Sequence, residues 1–569
     1  MAGDSFINKV VIVMGFQNME EFLLKYVVPI VSVLFIATML TIIFLPFIPL
    51  LFILGGFMLG IVTMLVYPLT KYEQKRLNID QNMHLFITYA GAISTLDIQR
   101  NILFKKIAEK EGFGELSEIS KKVIYLAKSW NLGFASACRK IGKLVPSKLL
   151  SDFFDRFAIM MDFGQSLQVF LNDEQIAVMD DYSVEYKKSL EKIKTIQDIF
   201  LSLTMAMAFM MSIGLLLPII AQTDISQAIN WILFAVLLVD SLVVVFVYNF
   251  VPIDRLCHNL EHKDVGMKHV QKAMIYALPI SVIVLIILTW LNYTQFIVSV
   301  SIATIPLFVV GIFAQREEEE VYKRDKAYPP FIRALGSGIE VRQGAIVSSL
   351  YALQVHDFGP LNEMVISLYR RLRTGNNKQK SWAIFGAETG SNLIMQFTNI
   401  FADAVSLGGS AEKIGEIISV NFQKLLALRK LRLQLASALR GSLYGAMIGF
   451  AMSAYVAAQV TQLLSNILSN PLNQASGGND LTSLVGAIGP TSSFSFDIHH
   501  IMFIIGLMVI IHAVASGIII KLIEGGTMYA CFFDICIMLW MGAGMGLALP
   551  WILEKLIPGF GQNFGIVSS

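Results

Sequence analysis

Nine apolar runs dominate this chain, at about 26–45, 47–67, 199–221, 231–250, 274–291, 296–314, 438–463, 499–521 and 528–553. A helix of roughly 20 such residues crosses about 30 Å of hydrocarbon while satisfying its own backbone polar groups. The runs therefore predict an all-α polytopic membrane protein with about nine transmembrane helices. Composition agrees, with 55% hydrophobic and 15% charged residues in a chain of 569. Soluble globular domains carry about 45–50% and about 25%. That excludes a soluble enzyme. The net charge of +2 is too balanced to argue for nucleic acid or an acidic substrate. Cys138, Cys257, Cys531 and Cys536 form no CxxC, so neither a disulfide framework nor a zinc ribbon is implied.

The first two runs make a hairpin turning at Pro46 and Pro49, residues that lack the N–H a helix interior uses. Residues 1–25 hold Asp4, Glu20 and Glu21 and are not expected to be a signal peptide. Orientation follows from Lys and Arg. With 70–198 in the cytoplasm, alternation puts 46, 222–230, 292–295, 464–498 and 554–569 outside, and only Lys555 of the 44 basic residues falls there. The loops 70–198, 251–273 and 315–437 hold 19, 4 and 16 of them. This positive-inside bias predicts a cell-membrane protein with a cytoplasmic N-terminus and an extracellular C-terminus.

The segments 70–198 and 315–437 repeat one another. Phe86-Ile87-x3-Gly91 recurs as Phe331-Ile332-x3-Gly336, and Phe113-Gly114-x-Leu116-x-Glu118 as Phe358-Gly359-x-Leu361-x-Glu363, both 245 residues on. Ser147-x-Leu149-x3-Phe153-x3-Phe157-Ala158-x5-Gly164-x-Ser166 recurs from Ser391 to Gly408-x-Ser410 with an offset of 244. The apolar runs obey the same offset, so the chain is duplicated, with both copies in the same orientation. Each segment reads as helical. Residues 149, 150, 153, 154, 157, 160 and 161 form a stripe at 3- and 4-residue steps. Residues 182–198 and 416–437, charged all round, are expected to lead as solvated helices into the third and seventh runs.

The expected organisation is thus 1–69, an N-terminal helix with spans one and two; 70–198, a cytoplasmic helical bundle; 199–250, spans three and four; and 251–273, a cytoplasmic loop. There follow 274–314, spans five and six; 315–437, a second bundle; 438–463, span seven; 464–498, an external loop; and 499–569, spans eight and nine with an external tail.

A helix pair, a glycine followed by a small residue, and an amphipathic helix resemble the cytoplasmic F domain of the platform proteins of type II secretion and type IV pili. Gly91 and Gly336 match its first hairpin; Gly164-Gln-Ser166 and Gly408-Gly-Ser410 match the second, with Ala411 departing from Leu167. A span pair ahead of each domain resembles the archaeal platforms of the archaellum. The resemblance covers nearly the whole chain. It implies a platform for assembling, or also rotating, a type IV pilus-like filament, with no enzymatic activity and no cofactor. The implied partners are a cytoplasmic hexameric secretion ATPase, pilin-like filament subunits, membrane lipids and a second copy of the chain. An adhesive archaeal pilus is the alternative filament.

The residues offer few other chemistries. His258-Asn-Leu-Glu261-His262 has the order of inverted zinc peptidases, yet it sits in a short loop with no third ligand, so a water-facing interfacial loop is the favoured reading. Near Gly142-Lys143-Leu144, Ala137 and Leu144 stand where a P-loop needs glycine and Ser or Thr, so any nucleotide hydrolysis falls to a partner. Asp240, His512 and Asp534 lie at membrane depth. A central Asp costs about 2.5–3.5 kcal/mol and needs a polar partner. Isolated hydrogen bonds to Ser or Thr are favoured here over the coupling-ion path of a transporter.

Basic clusters mark the cytoplasmic face: Lys121 and Lys122, Arg139, Lys140 and Lys143, and Arg370, Arg371 and Arg373 with Lys378 and Lys380. They suit anionic headgroups or an acidic face of a partner. The acidic run Glu317–Glu320 reads as a solvated helix start. Gly441, Gly445 and Gly449, and Gly542, Gly544 and Gly546, allow close helix approach, with packing inside the chain preferred over dimerisation.

Overall fold

A computed structural model of the chain describes residues 10–11, 16, 19–32, 35, 50–96, 100–221, 225–252, 254–258, 265–291, 295–469 and 498–556. Among the described residues, every extended regular element is a helix. The first copy supplies α1 (Leu50–Ser94), α2 (Arg100–Ala108), α3 (Glu115–Lys128), α4 (Phe134–Leu144), α5 (Lys148–Asp162) and α6 (Leu167–Ala221). α7 (Ile225–Phe250), α8 (Val265–Leu291) and α9 (Phe296–Ala303) follow. The second copy gives α10 (Ile305–Val341), α11 (Ile346–Leu353), α12 (Asn362–Arg373), α13 (Lys378–Glu388), α14 (Asn392–Ser406) and α15 (Ala411–Ser469). α16 (Ile498–Glu524) and α17 (Cys531–Leu556) close the series. α4 and α13, α5 and α14, and the starts of α6 and α15 recur at the 244-residue offset.

Local chemistry fixes the shared boundaries. Ser147 and Ser391 cap α5 and α14, each hydroxyl oxygen accepting the N–H three residues on at 3.2 Å. Each hydroxyl also donates to an aspartate of the preceding long helix, Ser147 to Asp80 and Ser391 to Asp325. Burial lifts the Asp80 carboxyl above its ordinary range, while the Ser147 hydroxyl pulls the other way.

Among the described residues, six helices are long and apolar enough to cross a membrane, in α6, α7, α8, α15, α16 and α17. The bent pair α9 and α10, turning by 41°, makes a seventh if counted as one. The chain is a multi-pass membrane protein. The expected run 26–45 lies outside the described residues at 33–34 and from 36 onward, and 47–67 falls on α1 from Leu50.

The described chain divides into two units. The first comprises Met1–Ser189 and Lys323–Leu428. In it the two copies contribute to a single hydrophobic core, with Phe86, Phe153 and Phe157 from one and Phe331, Phe397 and Phe401 from the other. Ring contacts run within the first copy (Phe86–Phe153, centroids 5.1 Å), within the second (Phe397–Phe422, 5.2 Å) and between them (His84–Phe397, 6.2 Å). Each such side chain, fully buried, contributes about 1.5–3 kcal/mol. Lys110 of the first copy pairs with Asp403 of the second. Along α6 and α15, residues at or within two positions of equivalence face each other: Gln175 Nε2 donates to Asn421 Oδ1 at 3.2 Å, and Lys424 Nζ to its counterpart Asp180 Oδ1 at 2.6 Å.

The second unit comprises Leu190–Tyr322 and Arg429–Ser569. Here α7 packs on α16, and α16 on α17. α6 and α15 again meet in register: Ser453 Oγ donates to the Ala208 carbonyl at 2.9 Å, and Thr461 Oγ1 to that of Leu215 at 3.2 Å. Positions 245 and 246 apart, within two residues of the 244-residue offset, thus oppose one another, as in a parallel pair. α10 approaches α17 so closely at Gly311 that a Cβ there would lie 2.5 Å from the Phe533 nitrogen.

Candidate functional site

The last carbonyls of a helix have no partner inside it, and in a membrane protein they cannot be left dry. Arg432 of α15, 1% exposed, meets that need for two helices. Its Nε donates to the Ile523 carbonyl at 2.6 Å and its Nη2 to that of Leu522 at 3.1 Å, both at the end of α16. Its Nη1 donates to the Pro252 carbonyl at 2.7 Å, just beyond α7. One turn earlier, Arg429 grips Asp254 with Nε at 3.0 Å and Nη2 at 2.8 Å. The Asp254 carbonyl in turn accepts the Gly526 N–H at 3.1 Å. Two buried arginines therefore gather the loops after α7 and α16. This corrects the expectation that 416–437 is a helix solvated on every side. The available signal was the three-residue spacing of Arg429 and Arg432, which puts both on one face.

A chain of charges continues from there. Lys521 Nζ, 1% exposed as a side chain, donates to Glu318 Oε2 at 2.7 Å and to Glu524 Oε2 at 3.1 Å. Arg440 Nη2 reaches Glu524 at 3.1 Å, and Arg440 Nε reaches Asp534 Oδ1 at 2.7 Å. Tyr444 donates to the same Asp534 oxygen at 2.6 Å. Glu318 also accepts the Thr527 N–H at 2.5 Å and its hydroxyl at 2.8 Å. Glu318, expected in a solvated helix start, instead ties α10 to the loop between α16 and α17. Asp534, expected to bond Ser or Thr, has an arginine and a tyrosine. A carboxylate excluded from water needs a full countercharge, which a hydroxyl does not supply.

Asp240 and His512 find each other. His512 Nδ1 lies 3.1 Å from both Asp240 oxygens, with each residue 1% exposed. The rings of Phe450 and Phe200 stand 4.8 and 5.7 Å from the imidazole. Asp240 and His512 are therefore paired, contrary to the expected isolated hydroxyl bonds, whereas Asp534 belongs to the separate chain above.

The other marked residues are dispersed. Lys121 and Lys122 are exposed on α3, and Lys121 pairs with Glu118 at 2.7 Å. Arg139, Lys140 and Lys143 lie on α4, with Arg139 bound to Asp162. Arg370 and Arg373 are exposed at the end of α12, where Arg373 stacks 6.0 Å from the Tyr369 ring and Arg371 pairs with Glu388. Lys378 and Lys380 are exposed in the first turn of α13. These clusters occupy different positions in the two copies. Gly91 and Gly336 lie where α1 meets α6 and α10 meets α15. Gly114 and Gly359 share φ +56°, and Gly164 and Gly408 follow α5 and α14 with φ +68° and +94°. Ser166 precedes α6, and Ser410 donates to Glu340 at 3.3 Å.

Among the glycine stripes, Gly542 faces Val509 and Gly546 faces Tyr455. Gly441, Gly445 and Gly449 meet open space, so the packing expected for them within the chain is not present among the described residues. Glu261 and His262 lie outside the described residues. Among those described, no group of three His, Cys, Asp or Glu residues could hold a metal.

Comparison with known proteins covers almost the whole chain. It is 30% identical over 516 residues to Flagella accessory protein J of Methanocaldococcus jannaschii, an alignment spanning 87% of this chain and 89% of that protein. It is 28% identical over 548 residues to the protein of the same name from Methanococcus voltae, across 95% and 97% of the two chains. No family model and no solved structure matches. With similarity of this extent laid over a duplicated, multi-pass helical chain, the protein belongs to the family of Flagella accessory protein J.

Proposed function

We propose that the protein is the membrane platform for assembling an archaellum filament of type IV pilus-like build, and that it carries out no chemistry itself. The name shared by both relatives favours the archaellum over an adhesive pilus. The segments 70–198 and 315–437 are two F-like domains facing the cytoplasm, and the whole chain makes nine spans, with 464–498 and the C-terminal tail outside. A hexameric secretion ATPase docks on the basic clusters of α3, α4, α12 and α13. Pilin-like subunits and lipids meet the membrane helices, and two copies of the chain form the working unit.

The observation that carries this reading is the pair α6 and α15. Each is a single helix whose residues belong to the first unit up to Ser189 or Leu428 and to the second from there on, so displacement entering one end has a stiff element to follow. Pull-down of the secretion ATPase by the full chain in nanodiscs is the test. The full chain is required because both copies build one core. Charge reversal at Arg370, Arg373 and Lys378 is expected to weaken capture about tenfold, or about 1.4 kcal/mol, with the larger effect at low salt. Absence of any capture by the unaltered chain would overturn the reading.

A further inference from the structure

A cavity of about 560 Å³ lies in the second copy, with Ala327, Pro330, Ala334, Phe358 and Pro360 as its apolar lining and Lys323, Lys326, His356 and Asp357 around them. The duplication shows why it exists. In the first copy, the same place is filled. Asn78 Oδ1 accepts the Glu115 N–H at 3.3 Å, Asn82 bonds Asn78, and the buried Tyr89 ring stands 5.7 Å from that of Phe113. At the 245-residue offset, Asn78, Asn82 and Tyr89 become Lys323, Ala327 and Ala334, while the phenylalanine is kept as Phe358.

The turn glycines report the difference. A Cβ at Gly114 would strike Asn78 Oδ1 at 2.8 Å and Asn82 Nδ2 at 3.3 Å, whereas one at Gly359 would meet nothing within 4 Å. The second turn is closed from inside its own loop instead. Asp357 Oδ1 accepts the Gly359 N–H at 2.8 Å and the Asn362 amide at 2.6 Å, and Asn362 Oδ1 accepts the Phe358 N–H at 2.7 Å. Those bonds hold the Asp357 carboxyl below its usual range and engage its charge within the turn. The neighbouring helix is thereby released from closing the turn.

We propose that this cavity is a binding site for an acidic peptide segment bearing one aromatic side chain. The aromatic ring takes the place that Tyr89 fills in the first copy, against Phe358, Pro330 and Ala334. Its flanking carboxylates face Lys323 and Lys326, which stand three residues apart on one side of α10. In the first copy a lysine already accompanies the ring, Lys110 Nζ lying 4.6 Å from the Tyr89 centroid. The site itself stands on the geometry of the second copy; only the identity of the protein that brings the peptide rests on the assembly reading.

Fluorescence anisotropy on the full chain in nanodiscs tests this with a labelled Glu-Glu-Tyr-Glu-Glu peptide. Binding is expected, with Glu-Glu-Ala-Glu-Glu and Lys-Lys-Tyr-Lys-Lys at least about tenfold weaker. Restoring the first copy's residues by Ala334→Tyr should remove binding, and Lys323→Asn, at an exposed position, should weaken it about tenfold. Equal binding of the acidic and basic peptides, full affinity in both variants, or no binding of the acidic peptide would each overturn the site. Peptide binding alongside failed ATPase capture would instead overturn the platform reading and leave the site standing.

Discussion

Arg432 holds a full charge almost out of contact with water, and the carbonyls of Pro252, Leu522 and Ile523 take up its donors. Truncation to Met keeps the apolar stem but strands those carbonyls. Arg432→Met is therefore expected to lose about 3–5 kcal/mol, seen as an earlier thermal transition in detergent. Lys430→Met, on an exposed face of the same helix, removes a charge without stranding any carbonyl and should change little. The sequence marked Asp240, His512 and Asp534 as needing partners, because charge at membrane depth is costly wherever it occurs. It did not disclose which partners. Asp240 and His512 are 272 residues apart, and Asp534 lies 94 and 90 residues from Arg440 and Tyr444, separations that no motif bridges.

The paired helices are held by small residues with unequal tolerance. At Gly336 an added Cβ would come 2.4 Å from the Ala411 carbonyl oxygen and 3.3 Å from the Gly415 Cα, both backbone atoms. At Gly91 the nearest atom is Gln175 Cγ at 2.9 Å, a side-chain atom whose displacement strains the Gln175–Asn421 hydrogen bond but moves no backbone. Gly336→Ala is thus expected to cost about 1–3 kcal/mol and Gly91→Ala clearly less, compared by denaturation of the two variants. Both glycines were visible in the repeated motif. Their unequal surroundings were not, since position 411 is Ala in one copy and its counterpart is Leu167. The apolar runs located α7, α8, α16 and α17 well, for long hydrophobic helices need little tertiary context. The charged approach to span seven was harder, because composition alone does not separate a solvated face from one with Arg429 and Arg432 turned inward.

For the molecule in its membrane, orientation is the property most open to a direct check. Lys378→Cys, exposed on α13, should react with a membrane-impermeant maleimide only after cells are opened, whereas Lys555→Cys should react in intact cells. Cys138 will stay silent in the background, because burial pushes its thiol up to about 12, and Cys257→Ser removes the half-buried native thiol. Reaction of Lys378→Cys before lysis would invert the topology. Duplication was legible from three motifs, but the merging of both copies into one core was not, since motif spacing says nothing about which faces meet. That merger has an evolutionary corollary. A dimer of identical chains must carry every mutation twice, at both symmetry-related places. Here fusion on one polypeptide lets either half drift alone, so one can specialise while its twin preserves the ancestral packing.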